Sequence, residues 1–397
     1  MKPLRVAVDA RLRPGTAGGI ENVVIGLAQG LSRAAAADVE VTFVGRAGEM
    51  GWLSPHLGAA IRVHEVSRAS RLVPALNRKL RSATGRSQPL SVDTVMQALR
   101  FDVVHFPFQA AGLVSAPFIY HPHDLQHRHL PELFTAAQLA DREARYPALC
   151  GAAAAVAVGS SWTKADVVEQ LALPAEKVYV VPLAPVTAAP AGPVDISDLQ
   201  LPDAYTVYPA ASWAHKNHPR LFAALAELRR RGLDVPLVLT GPRPPDGLNL
   251  SELAHQHGVS DLVRDLGYLP LNAARSVIAG ALLMLVPTLF EAASFPIWEA
   301  FDMGVPVACS DVTSLPKQVG DAALVFDPRD THSVAKSVEA VWVSPGLRAQ
   351  LVARGHDRVA EFTWEETART FLALYRRLGG RTLSAKDTLL LEREPRL

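Results

Sequence analysis

Apolar residues fall along this chain in short bursts separated by longer amphipathic stretches. Strand-like runs stand at 4–9, 39–45, 61–66, 102–106, 117–121, 154–158 and 177–183, and again at 205–210, 235–241, 263–269, 281–287, 305–310 and 322–327. Helical spacing fills the gaps. Residues 18–36 place Ile20, Val23, Val24, Leu27 and Leu31 on one face, and 217–231 and 271–280 read as helices too. Strands alternating with helices predict an α/β fold, its parallel sheets covered on both faces. Such sheets bind ligands at the carboxyl ends of their strands, so a site is expected in a cleft between two doubly wound units.

Punctuation divides the chain. Residues 184–203 (APVTAAPAGPVDISDLQLPD) are rich in Pro, Ala and Asp and break the alternation. The expected division is a first domain at 1–188, a linker at 189–203 and a second domain at 204–362. Residues 363–379 read as a helix, with Thr363 as cap, Glu366 three positions on, and Ala368, Phe371, Leu372 and Tyr375 as its apolar face. The charged tail 380–397 is expected to fray. Residues 68–100 are polar and Arg-rich, and read as a helical or mobile insertion.

With 40 basic and 39 acidic residues the net charge is +1, which gives no footing for nucleic-acid binding. Cys150 and Cys309 sit in apolar contexts and read as buried filler in a reducing compartment. The N-terminus reads as a first strand, its apolar stretch too short for a signal peptide. No run approaches the roughly 20 apolar residues of a membrane span. The expected location is cytoplasmic, with peripheral contact at the inner face of a membrane left open.

Residues 287–328 (PTLFEAASFPIWEAFDMGVPVACSDVTSLPKQVGDAALVFDP) concentrate the chemistry. They read as the end of a strand, then a polar loop, a short helix and a strand. Pro296 suits the first helical position, where its missing N–H is no loss. Glu291 is then expected in the loop and Glu299 in the first helical turn. The N–H groups of 294–298, from Ser294 and Phe295 onward, offer an anion site. Two hydroxyl-accepting carboxylates beside an anion site suit a sugar nucleotide.

This segment resembles the E-x7-E region of retaining glycosyltransferases of the GT-B fold, family 4. Glu291, Pro296, Glu299, Ala300, Gly304, Pro306, Val307, Leu315, Pro316, Gly320 and Ala322 fall in register with it. The resemblance implies two Rossmann-like domains, the first on the acceptor side and the second binding the donor, with helix 363–379 crossing back to the first. Two departures stand out. Ala292, Ala293 and Ser294 occupy the place of Gly-Phe-Gly, so a turn of different shape is expected, and Lys317 replaces a usual Glu.

Three further clusters join the comparison. The loop of Trp213, His215, Lys216, Asn217 and His218 resembles the W-P-H-K-N-H loop of one family branch, where the lysine neutralises the donor diphosphate. The Arg usual about five residues before this Lys is absent, Ala210 or Ala211 standing there, and Arg243 and His215 are the candidate replacements. Four histidines, His121, His123, His127 and His129, fall within nine residues. They lack a neighbouring Cys or an H-E-x-x-H frame, so no metal is expected. His123–Asp124 instead resembles the His-Asp ending of a family strand, whose His lies against the donor sugar; a structural histidine is the other reading. Gly18 and Gly19 precede a helix and resemble the family's first loop, near the donor phosphates or the acceptor, with Glu21 and Asn22 as acceptor contacts.

The resemblance implies metal-independent transfer of a hexose to a hydroxyl acceptor on a glycan, glycolipid or small molecule. The donor is a nucleotide diphosphate sugar acting as co-substrate, with no other cofactor. The branch suggests bacterial surface polysaccharide assembly and mannose. A non-catalytic sugar-nucleotide-binding relative and a nucleotide-sugar epimerase are the alternatives.

Overall fold

The computed structural model describes residues 2–13, 19–67, 90–186 and 194–397. It forms two compact units, Met1–Val186 with Thr363–Leu397, and Thr187–Phe362. The first holds a parallel sheet of β1 (Leu4–Asp9), β2 (Val39–Arg46), β3 (Arg62–Val66), β4 (Val103–Phe106), β5 (Phe118–Tyr120), β6 (Ala155–Val158) and β7 (Val178–Val180), in the order β3-β2-β1-β4-β5-β6-β7. The second holds β8 (Thr206–Pro209), β9 (Leu237–Thr240), β10 (Val263–Asp265), β11 (Leu283–Val286), β12 (Val307–Ser310) and β13 (Ala323–Phe326), in the order β10-β9-β8-β11-β12-β13. This is the doubly wound architecture that the alternating pattern predicts.

Burial follows from that architecture. Every residue of β4, β6, β11 and β12 is buried, because helices cover both faces of a central parallel strand. At the edge, β3 exposes Arg62, Val63, His64 and Glu65, and charges on an edge strand discourage pairing with other chains. Strand order reverses between β1 and β4 in one sheet and between β8 and β11 in the other. Loops leaving the carboxyl ends of those strands border the crevices where such sheets bind ligands.

In the first unit the helix Gly19–Arg33 packs against the helix Trp364–Leu378. Gly26 and Gly30, one turn apart, make the seat for Trp364. A Cβ on Gly26 would lie 1.8 Å from the indole, and one on Gly30 would lie 2.1 Å from the Trp364 carbonyl oxygen. Thr363 caps its helix through the Glu366 N–H, as the sequence predicts.

The tail departs from expectation. Ser384 and Asp387 form a capping box that starts the helix Ala385–Glu392. Asp387 then pairs with Arg376, the Ser161 N–H donates to the Leu397 carbonyl at 2.7 Å, and Leu397 is buried. Charges that read as frayed ends therefore find partners on the first unit. Of the expected insertion, 68–89 lie outside the described residues, while Thr94–Leu99 is a helix capped by Asp93. Of the expected linker, 189–193 lie outside them, and the described remainder carries one short turn, Ser197–Leu199.

Candidate functional site

In the second unit the chain leaves β8, makes a short turn over Ala214–Lys216 and enters the helix His218–Arg230. Asn217 makes the corner with φ +60°, a conformation Asn tolerates better than most side chains. Its Nδ2 donates to the carbonyls of Pro287 and Pro328, both at 2.9 Å. The His215 carbonyl accepts from the Leu289 N–H at 2.7 Å and the Thr288 hydroxyl at 3.1 Å. The loop after β8 is thus stitched to the loop after β11. Its result is an ion pair between Lys216 Nζ and Glu291 Oε2 at 2.5 Å. Two residues singled out separately from the sequence therefore meet at the reversal of strand order.

The Glu291 loop is held from the next strand–helix connection. The Thr313 hydroxyl donates to the Glu291 carbonyl at 2.5 Å, and Ser314 Oγ lies 2.6 Å from the Ala292 carbonyl. Gln318 clasps Ser294 twice, its Nε2 donating to the Ser294 carbonyl at 2.8 Å and its Oε1 accepting the Ser294 N–H at 2.9 Å. Between Pro287 and Gln318, all of them described, the one non-glycine residue at positive φ is Thr313, at +53°. Ala292, Ala293 and Ser294 stay at negative φ, so the Ala-Ala-Ser turn needs no glycine. Thr313, Ser314 and Gln318 were not singled out from the sequence; lone polar residues after a strand carry no distinctive signal there.

The helix after this loop spans Phe295–Asp302. Pro296 is its second residue and Glu299 its fifth, so Glu299 sits one position beyond the expected first turn. The Ser294 N–H is spent on Gln318 and Pro296 has none, which leaves Phe295 and Ile297 as the amide donors of the first turn. Burial pushes the Glu299 carboxyl up to about 7, Arg275 opposing the rise and Asp302 adding to it. A carboxyl so placed exchanges its proton near neutrality.

Arg243 reaches the carboxyl end of β8, where the family's usual Arg is absent, but its guanidinium is engaged. Nε and one terminal nitrogen donate to Asp265 at 2.9 and 2.5 Å, and the other donates to the carbonyls of Ala210, Gly241 and Pro242 at 3.1, 2.9 and 3.1 Å. Arg243 therefore braces the loop, and as a replacement diphosphate ligand it would have to give up bonds.

In the first unit His123 follows β5 with φ +63°. The Asp124 N–H donates back to the Pro122 carbonyl at 2.9 Å. Such a γ-turn around a positive-φ residue is rare and strained. His123 Nε2 donates to the Pro107 carbonyl at 2.9 Å, so Nδ1 is left as the ring's acceptor when the imidazole is neutral. Burial lowers its pKa to about 4, the Pro107 bond offsetting part of the fall. The other histidines disperse: His121 bonds His105, His127 lies 3.2 Å from Glu143, and His129 lies 2.7 Å from Asp166. Among the described residues no group of three or more His, Cys, Asp or Glu side chains is disposed to hold a metal ion.

Gly19 opens the helix Gly19–Arg33, with Glu21 and Asn22 half-buried in its first turn; Gly18 lies outside the described residues. Unforeseen from the sequence, Arg11 forms a fork with Asp9 at 2.8 and 2.7 Å and reaches Asp93 at 2.5 Å. This buried charge cluster anchors the chain leaving β1. The short Asp-Ala-Arg spacing was its one sequence signal.

Residues 17–184 match the model of Glycosyltransferase Family 4, and residues 196–358 that of Glycosyl transferases group 1. Taken with the two parallel sheets, these matches define the class: the chain belongs to the group 1 glycosyl transferases of the GT-B type. Among curated proteins it is 30% identical to O-antigen chain mannosyltransferase B of Escherichia coli, over 55% of this chain and 59% of that one. It is 27% identical to the MMP alpha-(1->4)-mannosyltransferase of Mycolicibacterium hassiacum, over 54% of this chain and 52% of that one. The chain thus spans between half and three-fifths of these relatives' lengths. Among solved structures, Anabaena HepE in complex with UDP and glucose superposes with a TM-score of 0.71 at 16% identity, covering 94% of this chain and 100% of the other. That likeness supports the fold. Among the described residues no helix is long and apolar enough to cross a membrane.

Proposed function

We propose that this protein is a retaining, metal-independent hexosyltransferase that moves a sugar, mannose in the first instance, from a nucleotide diphosphate donor to a hydroxyl acceptor in bacterial surface polysaccharide assembly. The observation that carries this reading is the Lys216–Glu291 pair at the β8–β11 reversal. A cation and a carboxylate there match a diphosphate and the hydroxyls of the sugar attached to it. Two mannosyltransferases among the relatives favour mannose, and HepE, bound to UDP and glucose, illustrates a sugar nucleotide on this fold.

In this reading Lys216 and the first-turn amides of Phe295 and Ile297 stabilise the leaving diphosphate, the main electrostatic task. Donor phosphate must then compete with Glu291 for Lys216. Glu291 turns to the sugar hydroxyls, ionised Glu299 accepts the ribose hydroxyls, and His123 offers Nδ1 as acceptor to a sugar hydroxyl. The acceptor oxygen attacks the anomeric carbon from the face the diphosphate leaves. The carbon–phosphate-oxygen bond breaks, and the departing oxygen takes the acceptor's proton.

The test is a thermal-shift screen against GDP-, UDP-, ADP- and dTDP-sugars. A true donor at 100 times its dissociation constant stabilises by roughly 2.7 kcal/mol. Transfer with that donor should keep the anomeric configuration and survive EDTA. An inverted product, or activity lost to EDTA and restored by Mg2+, overturns the mechanism. Donor binding with no transfer to any acceptor identifies a non-catalytic relative instead.

A further inference from the structure

Beneath the His123 turn lies a chain of buried polar side chains that the reading above does not use. His105, on β4, is fully buried, as is Tyr375 on the helix Trp364–Leu378, and His121 is nearly so. The Tyr375 hydroxyl lies 2.7 Å from His105 Nδ1, and His105 Nε2 lies 2.7 Å from His121 Nε2. Phe371 packs on both rings, its centroid 4.6 Å from that of His105 and 5.6 Å from that of His121. The His121 N–H also donates to the Phe106 carbonyl at 3.1 Å, two residues before His123.

Direction in this chain follows from proton counting. Burial lowers the pKa of His105 to about 3 and holds that of His121 well down, so each ring carries one N–H at neutral pH. If His105 donated to Tyr375, the phenol's own proton would be buried with no other acceptor within reach among the described residues, and orphaned buried donors are disfavoured. The phenol therefore donates to His105 Nδ1, His105 Nε2–H donates to His121 Nε2, and His121 carries its proton on Nδ1, which is not among the fully buried, unpartnered side-chain atoms of the described residues. His121 and His123 thus hold opposite tautomers on either side of Pro122.

We infer that the Tyr375–His105–His121 hydrogen-bond chain is the device that holds the strained His123 turn in place, which makes Tyr375 and His105 positioning residues for transfer. Strained backbone persists only where its surroundings over-determine it. Here the fixed His121 ring and backbone, and the His123 bond to Pro107, tie the turn to the end of β4 on both sides. The inference rests on the proposed transferase reading for its kinetic consequence, but not for the tautomers.

The experiment combines 15N spectra of histidine-labelled protein with kinetics of three variants. Wild type should show His105 protonated on Nε2 and His121 on Nδ1. Tyr375→Phe should release the His105 tautomer and lower kcat by roughly tenfold, about 1.4 kcal/mol in barrier, with the donor KM unchanged. His105→Gln, whose amide can both accept from Tyr375 and donate to His121, should keep most of kcat, whereas His105→Leu should not. A His121 proton on Nε2 in wild type, or equal kcat in wild type and Tyr375→Phe, overturns the inference. So does equal loss in the Gln and Leu variants. If no transfer is found at all, the spectra alone decide the chain's direction, separately from the proposed function.

Discussion

Lys216 and Glu291, seventy-five residues apart in the chain, form an ion pair with 20% and 18% of their side chains exposed. With about four-fifths of each side chain out of water, desolvation offsets much of the attraction, so the pair is weak evidence for a stabilising role. Its position at the reversal of strand order therefore points to binding chemistry. Replacing either residue with Ala should cut transfer by about 10²-fold or more while the far-UV circular dichroism stays that of the wild type. Variants that turn over like wild type would remove both residues from the site.

Glu299 gives the protein a pH signature. Its carboxyl titrates near 7 in the folded chain against an ordinary 4.5, so the folded state binds the proton more tightly than the unfolded state. The associated stability is complete below the ordinary value and is lost as pH climbs through about 7. Donor affinity should run the other way, tightening over the same range as the carboxylate forms. Glu299→Gln should flatten the stability slope and weaken the donor. Urea titrations and calorimetry at several pH values check both; equal slopes in the two proteins would contradict the assignment.

The Gln318 clasp on Ser294 makes a structural prediction with a functional edge. Gln318→Ala leaves a buried N–H and a buried carbonyl without partners, each worth about 1–3 kcal/mol. Unfolding stability should fall by about 2 kcal/mol or more, and donor affinity should weaken because the Glu291 loop loses its brace. An unchanged denaturation midpoint would show that the loop holds itself.

Gly30→Ala tests the seat for Trp364. Its new methyl group would lie 2.1 Å from a backbone oxygen, which cannot swing aside as a side chain can. Overpacking of this kind costs roughly 1–3 kcal/mol or more. Gly346→Ala, whose Cβ would have nothing within 4 Å, is the control and should stay within about 0.5 kcal/mol of wild type. Equal melting temperatures for the two variants would rule out the close contact.

Much of the fold was legible because its signals are local. Apolar runs located the strands of the described residues, since a buried parallel strand such as β4 or β11 needs a continuous apolar stretch wherever it lies. Thr363 and Glu366 announced their helix because capping is settled within one turn. The tail misled for the opposite reason. Ser384 and Asp387 make a local capping box, but Arg376 and the contacts of Leu397 that fix the tail lie on other elements.

Within the candidate site the same division holds. The amino-acid sequence by itself determined the family resemblance and the two alternating units, and it singled out His123, Lys216, Glu291 and Glu299 as candidates, because these are carried by residue type and spacing. Only the tertiary structure decided their partners. It joined Lys216 to Glu291, spent Arg243 on Asp265 and the Ser294 N–H on Gln318, and placed Tyr375 behind His105 and His121. Hydrogen bonds and ion pairs act over a few ångströms of space, and parallel strand order, not distance along the chain, sets which side chains come that close.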